Sequence, residues 1–285
     1  MSSMKNRLKQ YFQKFFRVLN RPDMILLPGQ LAFFLILSVV PIVTLVSYGA
    51  SFLHLPIDFI SNFVSKSFNK DVASIVVPIV TGANLSKRFY VTLIVGYYIA
   101  SNGAASIIIT SNIIYGIKNS SFFARRLKAM VMTFILVLLF LFILIVPVFG
   151  NKVIELISYV NLNPTITTKI ALVIKILKGP IAWFIIFFFI KLIYTMAPDR
   201  KIPSSYVTKG AVFTSVFWIV VTYIYSYYIN NFAHYNVFYG GLSNVIILML
   251  WVYILAYIFT IGMALNHNDE QEKLEKTGQI NQLKE

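Results

Sequence analysis

The hydrophobic positions of this chain fall into long unbroken runs, not the short alternations of a soluble fold. About 20 helical residues cross roughly 30 Å of hydrocarbon. By that measure the runs predict spans near Met24–Phe52, Phe89–Ile117, Ala129–Gly150, Gly179–Ala197, Gly210–Asn230 and Gly241–Leu265. The third, LKAMVMTFILVLLFLFILIVPVFG, admits no other reading. The fourth opens at Gly179–Pro180, is the shortest, and contains Lys191. The first two are long enough to tilt. The expected fold class is therefore all-α: a polytopic transmembrane helix bundle of about six spans with short interfacial helices.

Shorter amphipathic stretches fill the gaps. Met4, Leu8, Tyr11, Phe12, Phe15, Phe16 and Leu19 recur at helical spacing, with Lys5, Arg7, Lys9, Lys14 and Arg17 on the other face. Residues 1–23 thus predict a basic amphipathic helix, suited either to an anionic leaflet or to packing on the rest of the protein. In 55–85, Ile57, Ile60, Val64 and Phe68 share one face, and Val72, Ile75, Val76 and Ile79 another. In 151–178, Val153, Leu156, Ile157 and Val160 precede a break at Asn163–Pro164. Both regions predict short helices lying at one membrane surface. Residues 24–265 form the six-span domain. Residues 266–285, with five acidic and three basic side chains, predict a short, frayed cytosolic tail.

Composition agrees with hydrocarbon as the solvent: 58% of residues are hydrophobic and 12% charged, too few charges to cover a soluble surface. The 25 Lys+Arg against 10 Asp+Glu would suggest nucleic acid in a soluble protein. Here the cations cluster at the ends of apolar runs, as in orientation signals, so no nucleic acid is expected. The N-terminal segment, the 118–128 loop and the 198–209 loop hold thirteen basic residues, against eight on the other side. That bias favours both termini inside. With no cysteine, thiolate metal sites, disulfides and palmitoylation are excluded. No small-residue cleavage site follows a short apolar core, so the first span is expected to serve as the insertion signal.

Chemistry is sparse. The three histidines, His54, His234 and His267, lie at span ends or loops, and no pair has ligand spacing. The acids Asp23, Asp58, Asp71, Glu155, Asp199 and a tail group all fall outside the spans. There is no Gly-rich phosphate loop, no GxSxG and no acidic cluster for two divalent ions. No catalytic residue, metal or cofactor is expected. The candidates are instead polar groups inside spans: Gln30, Ser38, Asn102, Asn112, Lys191 and Asn244, with Asn230 and Asn231 closing the fifth span. Buried amides are either interhelical glue or substrate contacts. Lys191 lies close enough to the inner end to snorkel, with a headgroup or substrate contact as the alternative. Pro41 and Pro147 are expected to kink their spans. The run from Gly103 to Ser106 suits close helix packing.

The closing segment, FYGGLSNVIILMLWVYILAYIFTIGMALN, resembles that of the BrkB/YihY family through Tyr239, Gly240, Gly241, Trp251, Tyr253, Gly262 and Asn266. Ala32 and LSVVP at 37–41, which contains Pro41, resemble the family's first-span motif. Tyr194, Pro198, Pro203 and Gly210–Ala211 fit its loop before the fifth span. Many members have Glu in the last stretch where this chain has Ala264, so no role for that carboxylate carries over. The resemblance implies a six-span inner-membrane protein. Members were once labelled ribonuclease BN, a label the missing metal-binding acids argue against here, and some are proposed as transporters. Three readings follow: export of a lipid or other amphipathic envelope component; a scaffold or regulator of envelope assembly; and ion-coupled solute transport. Membrane lipids are the expected partners, the N-terminal helix meeting the anionic inner leaflet, and a homo-oligomer is left open.

Overall fold

A computed structural model of the chain describes residues 22–52, 87–159, 164–231 and 239–276, with Asn20 and Tyr235. The expected N-terminal helix and the 55–85 region lie outside the described residues, as do the side chains of Asn244 and Pro147. Among the described residues all regular structure is helical. The helices are α1 (Asp23–Phe52), α2 (Lys87–Tyr115), α3 (Phe122–Tyr159), α4 (Pro164–Met196), α5 (Thr208–Asn231) and α6 (Ser243–Lys276), with a 3-10 turn at Gly240–Leu242. The all-α membrane class is borne out. The span count is lower than expected: four helical segments among the described residues, in α2, α4, α5 and α6, are long and apolar enough to cross. The apolar stretch Asp23–Ser38 in α1 is shorter.

Two expectations need correction. The 151–178 region does not form separate surface helices: α3 runs on to Tyr159, and α4 begins at Pro164. Its apolar periodicity continues that of the neighbouring spans, so the helix propagates. Proline at the first helical position costs nothing, because that N–H has no intrahelical partner. The fourth apolar span falls where expected, at Gly179–Met196, but the helix that carries it starts earlier: Pro180 lies inside α4, which spans 33 residues. The chain likewise stays helical through Pro41 and Pro147. The second correction concerns the tail. α6 passes Leu265 and continues to Lys276, held by ion pairs described below.

Helix ends follow local chemistry. Gly116, at φ 65°, closes α2: its N–H reaches the Ile113 carbonyl (3.2 Å) and the Ile117 N–H reaches Asn112 (2.8 Å). This is the glycine-capped C-terminal motif in which only a residue tolerant of left-handed backbone fits. Gly240, at φ 51°, turns the chain into α6, and Ser243 Oγ donates to its carbonyl at 2.5 Å. The Tyr-Gly-Gly motif thus has a backbone reason.

The chain divides into two compact units, Met1–Leu37 with Ser101–Met132 and Ile190–Glu285, and Ser38–Ala100 with Thr133–Phe189. Within the second, α3 and α4 meet through Phe142 and Phe189 (centroids 6.0 Å apart), and Trp183 stacks on Phe187. Burial follows helical stripes: Ala100, Ala104, Ile107 and Ile108 on α2, and Val252, Ala256, Phe259 and Met263 on α6. The opposite faces are apolar too. α5 exposes Val212, Val216, Phe217, Ile219, Val220 and Ile224, a surface suited to lipid and not to water.

Candidate functional site

The first unit is built on α5 and α6, which lie antiparallel and are joined at regular intervals. Tyr225 Oη donates to the Ile247 carbonyl (2.6 Å), Trp251 Nε1 to Thr222 Oγ1 (3.2 Å), and Trp218 Nε1 to the Leu255 carbonyl (2.9 Å). Each step of about one turn back along α5 is matched by one forward along α6. From α4, Tyr194 Oη donates to the Phe259 carbonyl (2.7 Å) and lies 2.7 Å from Thr214 Oγ1. One buried hydroxyl thereby ties three helices.

Farther along, the two backbones touch. A Cβ on Gly210 would overlap the Gly262 carbonyl oxygen, and one on Gly262 would overlap Thr214 Oγ1 and Tyr194 Oη. Asn266 Oδ1 accepts the Gly210 N–H at 2.7 Å, satisfying an amide near the start of α5. The residues that carry the family resemblance at Tyr194, Gly210, Trp251, Gly262 and Asn266 are therefore one crossing.

At the same end of this unit, the α4–α5 loop is clamped on two sides. Asp199 faces α2 and α3. Its Oδ2 accepts from Asn112 Nδ2 (2.7 Å) and the Ser120 N–H (2.9 Å), and its Oδ1 from Lys128 Nζ (2.8 Å). Its own N–H donates to Asn112 Oδ1 (2.9 Å). Lys128 Nζ also donates to the carbonyls of Ala197 (2.9 Å) and Pro198 (2.7 Å), which uses all three of its protons. Burial alone would raise the Asp199 carboxyl, whose side chain is 8% exposed. The Lys128 ammonium, the Ser120 amide and Asn112 outweigh it and lower the pKa to about 2.

The next residue faces α6. Arg200 Nη2 donates to Glu270 Oε2 (2.7 Å), whose side chain is 5% exposed. One turn earlier, His267 lies edge-on to Tyr115 at the end of α2, centroids 5.1 Å apart. Asp269 pairs with Lys209 of α5 and with Lys273 (2.9 Å), and Lys273 lies over the Tyr206 ring. These contacts bring the 118–128 loop, the 198–209 loop and the end of α6 to one end of the unit. The charge pattern predicts the two loops on one side of the membrane.

The polar residues singled out from the sequence do not converge on one site. Gln30 is exposed and Ser38 fully buried. Asn102 Oδ1 accepts from Arg126 Nη1 of α3 (2.8 Å), and Asn112 belongs to the Asp199 clamp. Lys191 is half-buried, and its carbonyl accepts from Thr195 Oγ1 (2.8 Å). Tyr239 is exposed and stacks with Tyr235. The sequence reading missed Asp199, Arg200, Lys128 and Glu270. Its available signal was an isolated acid, Asp199, inside an otherwise basic loop. Among the described residues no group of three or more His, Asp or Glu side chains is placed to hold a metal ion.

On α2, the hydroxyls of Ser106, Thr110 and Ser111 are buried and have no hydrogen-bond partner among the described residues; the same is true of Asn266 Nδ2. Beside the clamp, Ser120, Ala124, Lys128, Thr195, Arg200 and Lys201 line a surface cavity of about 390 Å³.

A family model described as Virulence factor BrkB matches residues 15–283. The ribonuclease-like protein YfkH of Bacillus subtilis (strain 168) is 28% identical over 243 residues, 84% of this chain and 87% of that protein. A UPF0761 membrane protein of Idiomarina loihiensis is 30% identical over 100 residues, 34% of this chain and 35% of its own. One from Haemophilus influenzae (strain PittEE) is 25% identical over 108 residues, 38% and 40%. The matched segments cover well under half of those two UPF0761 proteins and of this chain. No solved structure matches.

Proposed function

The chain belongs to the BrkB family of bacterial membrane proteins, and from that premise we propose that it transports or exports a lipid or other amphipathic envelope component. In this reading it works in the cell membrane with both termini cytoplasmic and is not an enzyme. The observation that carries the reading is the row of buried hydroxyls on α2, Ser106, Thr110 and Ser111, which have no hydrogen-bond partner among the described residues. A buried polar group with no partner costs about 1–3 kcal/mol, and a helix that only packs has no use for three. A polar path has such a use, because water or substrate satisfies them in passage. The clamp at the loop end fits the same reading. It is made of ion pairs and hydrogen bonds, which exchange with water more readily than apolar packing does.

A scaffold of envelope assembly is the second reading, favoured by the amides of Asn102, Asn112 and Asn266. All three bind protein groups. Proteoliposomes loaded with a fluorescent short-chain phosphatidylglycerol separate the two. Transport predicts flux above empty vesicles and a loss of about tenfold or more in Thr110→Val/Ser111→Ala, with the unfolding midpoint unchanged or raised. Wild-type flux no greater than that of protein-free vesicles, from folded protein in either orientation, decides for the scaffold.

A further inference from the structure

The cavity beside the Asp199 clamp has an unbalanced charge. Its walls include three cations, Lys128, Arg200 and Lys201, and one carboxylate, Asp199. Lys128 and Asp199 neutralise each other, and the bonds already described use all three Lys128 protons. Arg200 gives Nη2 to Glu270, but its Nε is buried with no hydrogen-bond partner. Lys201 is exposed and forms no ion pair among the described residues. The first turn of α3, which begins at Phe122, adds the positive end of a helix dipole. What remains is the full positive charge of Lys201 and the exposed part of the Arg200 guanidinium, whose side chain is 28% exposed; the Ser120 and Ala124 amides are already taken by Asp199 and by Ser121 Oγ. An anion with several acceptor oxygens complements that set, and phosphate is the common one.

The surroundings indicate what carries the phosphate. On α3, next to Ala124 and Lys128, Phe122, Phe123 and Leu127 are 61%, 84% and 67% exposed. Phenylalanines standing free at the end of a membrane helix mark the level where headgroups meet acyl chains. A volume of about 390 Å³ lies within the range of small-ligand sites.

We propose that this cavity is a binding site for the phosphate headgroup of an anionic phospholipid. Arg200 and Lys201 take the phosphate oxygens, and Phe122, Phe123 and Leu127 lie along the acyl chains. The proposal rests on the reading of an amphipathic partner but needs no flux, so lipid retention tests it separately from transport.

The experiment is native mass spectrometry of the detergent-solubilised full-length protein, titrated with phosphatidylglycerol, phosphatidylcholine or inorganic phosphate. Phosphatidylglycerol is expected to be retained over phosphatidylcholine by about tenfold. Lys201→Glu should remove that preference, and Lys201→Gln should reduce it; Lys201 is an exposed loop residue, so both should keep the wild-type unfolding midpoint. Phe123→Ser should weaken phosphatidylglycerol retention without affecting any binding of free phosphate. Equal retention of the two lipids, or a preference unmoved in Lys201→Glu, overturns the site. Displacement of phosphatidylglycerol by equimolar inorganic phosphate overturns the lipid source. Absence of flux in vesicles bears on transport alone.

Discussion

At the scale of single residues, Asp199 does more than any other group described. Its folded pKa is lowered, to about 2 against an ordinary value near 3.8. Its contribution is therefore fully present above the unfolded pKa and is lost as pH falls from about 4 toward 2. The contribution is on the order of 1–2 kcal/mol. Asp199→Asn should be less stable than wild type in detergent at pH 7, and the gap should close by about pH 2. Unfolding midpoints measured across that range check it; a gap independent of pH means the carboxylate charge is not what holds the loop. Asp199→Ala should cost more, about 2–3 kcal/mol, because it strands the Lys128 ammonium and the Asn112 amide. The sequence marks Asn112 as an amide in need of a partner because it stands within an apolar run. It does not mark Asp199, since an acid in a loop has no periodicity and its partners are 71 to 87 positions away.

At the scale of elements, the α5–α6 crossing depends on two glycines. Gly262→Ala puts a methyl group into Thr214 and Tyr194, with no flexible chain end to yield. A loss of about 3 kcal/mol or more is expected, or failure to accumulate in the membrane. Gly96→Ala is the control: nothing lies within 4 Å of its Cβ position, and stability should change by less than about 1 kcal/mol. Equal tolerance of both would contradict the crossing. Trp218→Phe removes one rung and should cost roughly 0.6–1.7 kcal/mol, the range for a single interhelical hydrogen bond in a membrane. Helix existence is legible in the sequence, because 20 apolar residues leave the backbone no other way to satisfy itself. Helix ends are less so. The chain reads past Leu265 as polar and therefore as tail, yet Lys209, Arg200 and Lys273 supply partners that keep α6 ordered to Lys276. The continuation of α3 to Tyr159 and the start of α4 at Pro164 are missed for a related reason: half-apolar sequence fits a separate surface helix and an extension of the neighbouring helix equally well.

At the scale of the whole molecule, a formal net charge of +15 sits on a chain without cysteine, which makes sidedness directly measurable. Single cysteines at Ser121 and Ser204 should react with a membrane-impermeant thiol reagent from the same face, and a cysteine at Leu242 from the opposite one. Labelling of Ser121→Cys and Ser204→Cys from opposite faces would break the arrangement in which both loops meet at Asp199.

The clamp also has a timetable. Glu270 and Asn266 are synthesised 70 and 56 residues after the groups they bind, Arg200 and the Gly210 amide. At ordinary translation speeds that interval is on the order of 3–14 s. Throughout it a guanidinium and an open helix start wait at the membrane without their partners. A ribosome stalled in α6 leaves behind a protein already inserted yet unlatched, the form that membrane proteases and insertases have time to inspect.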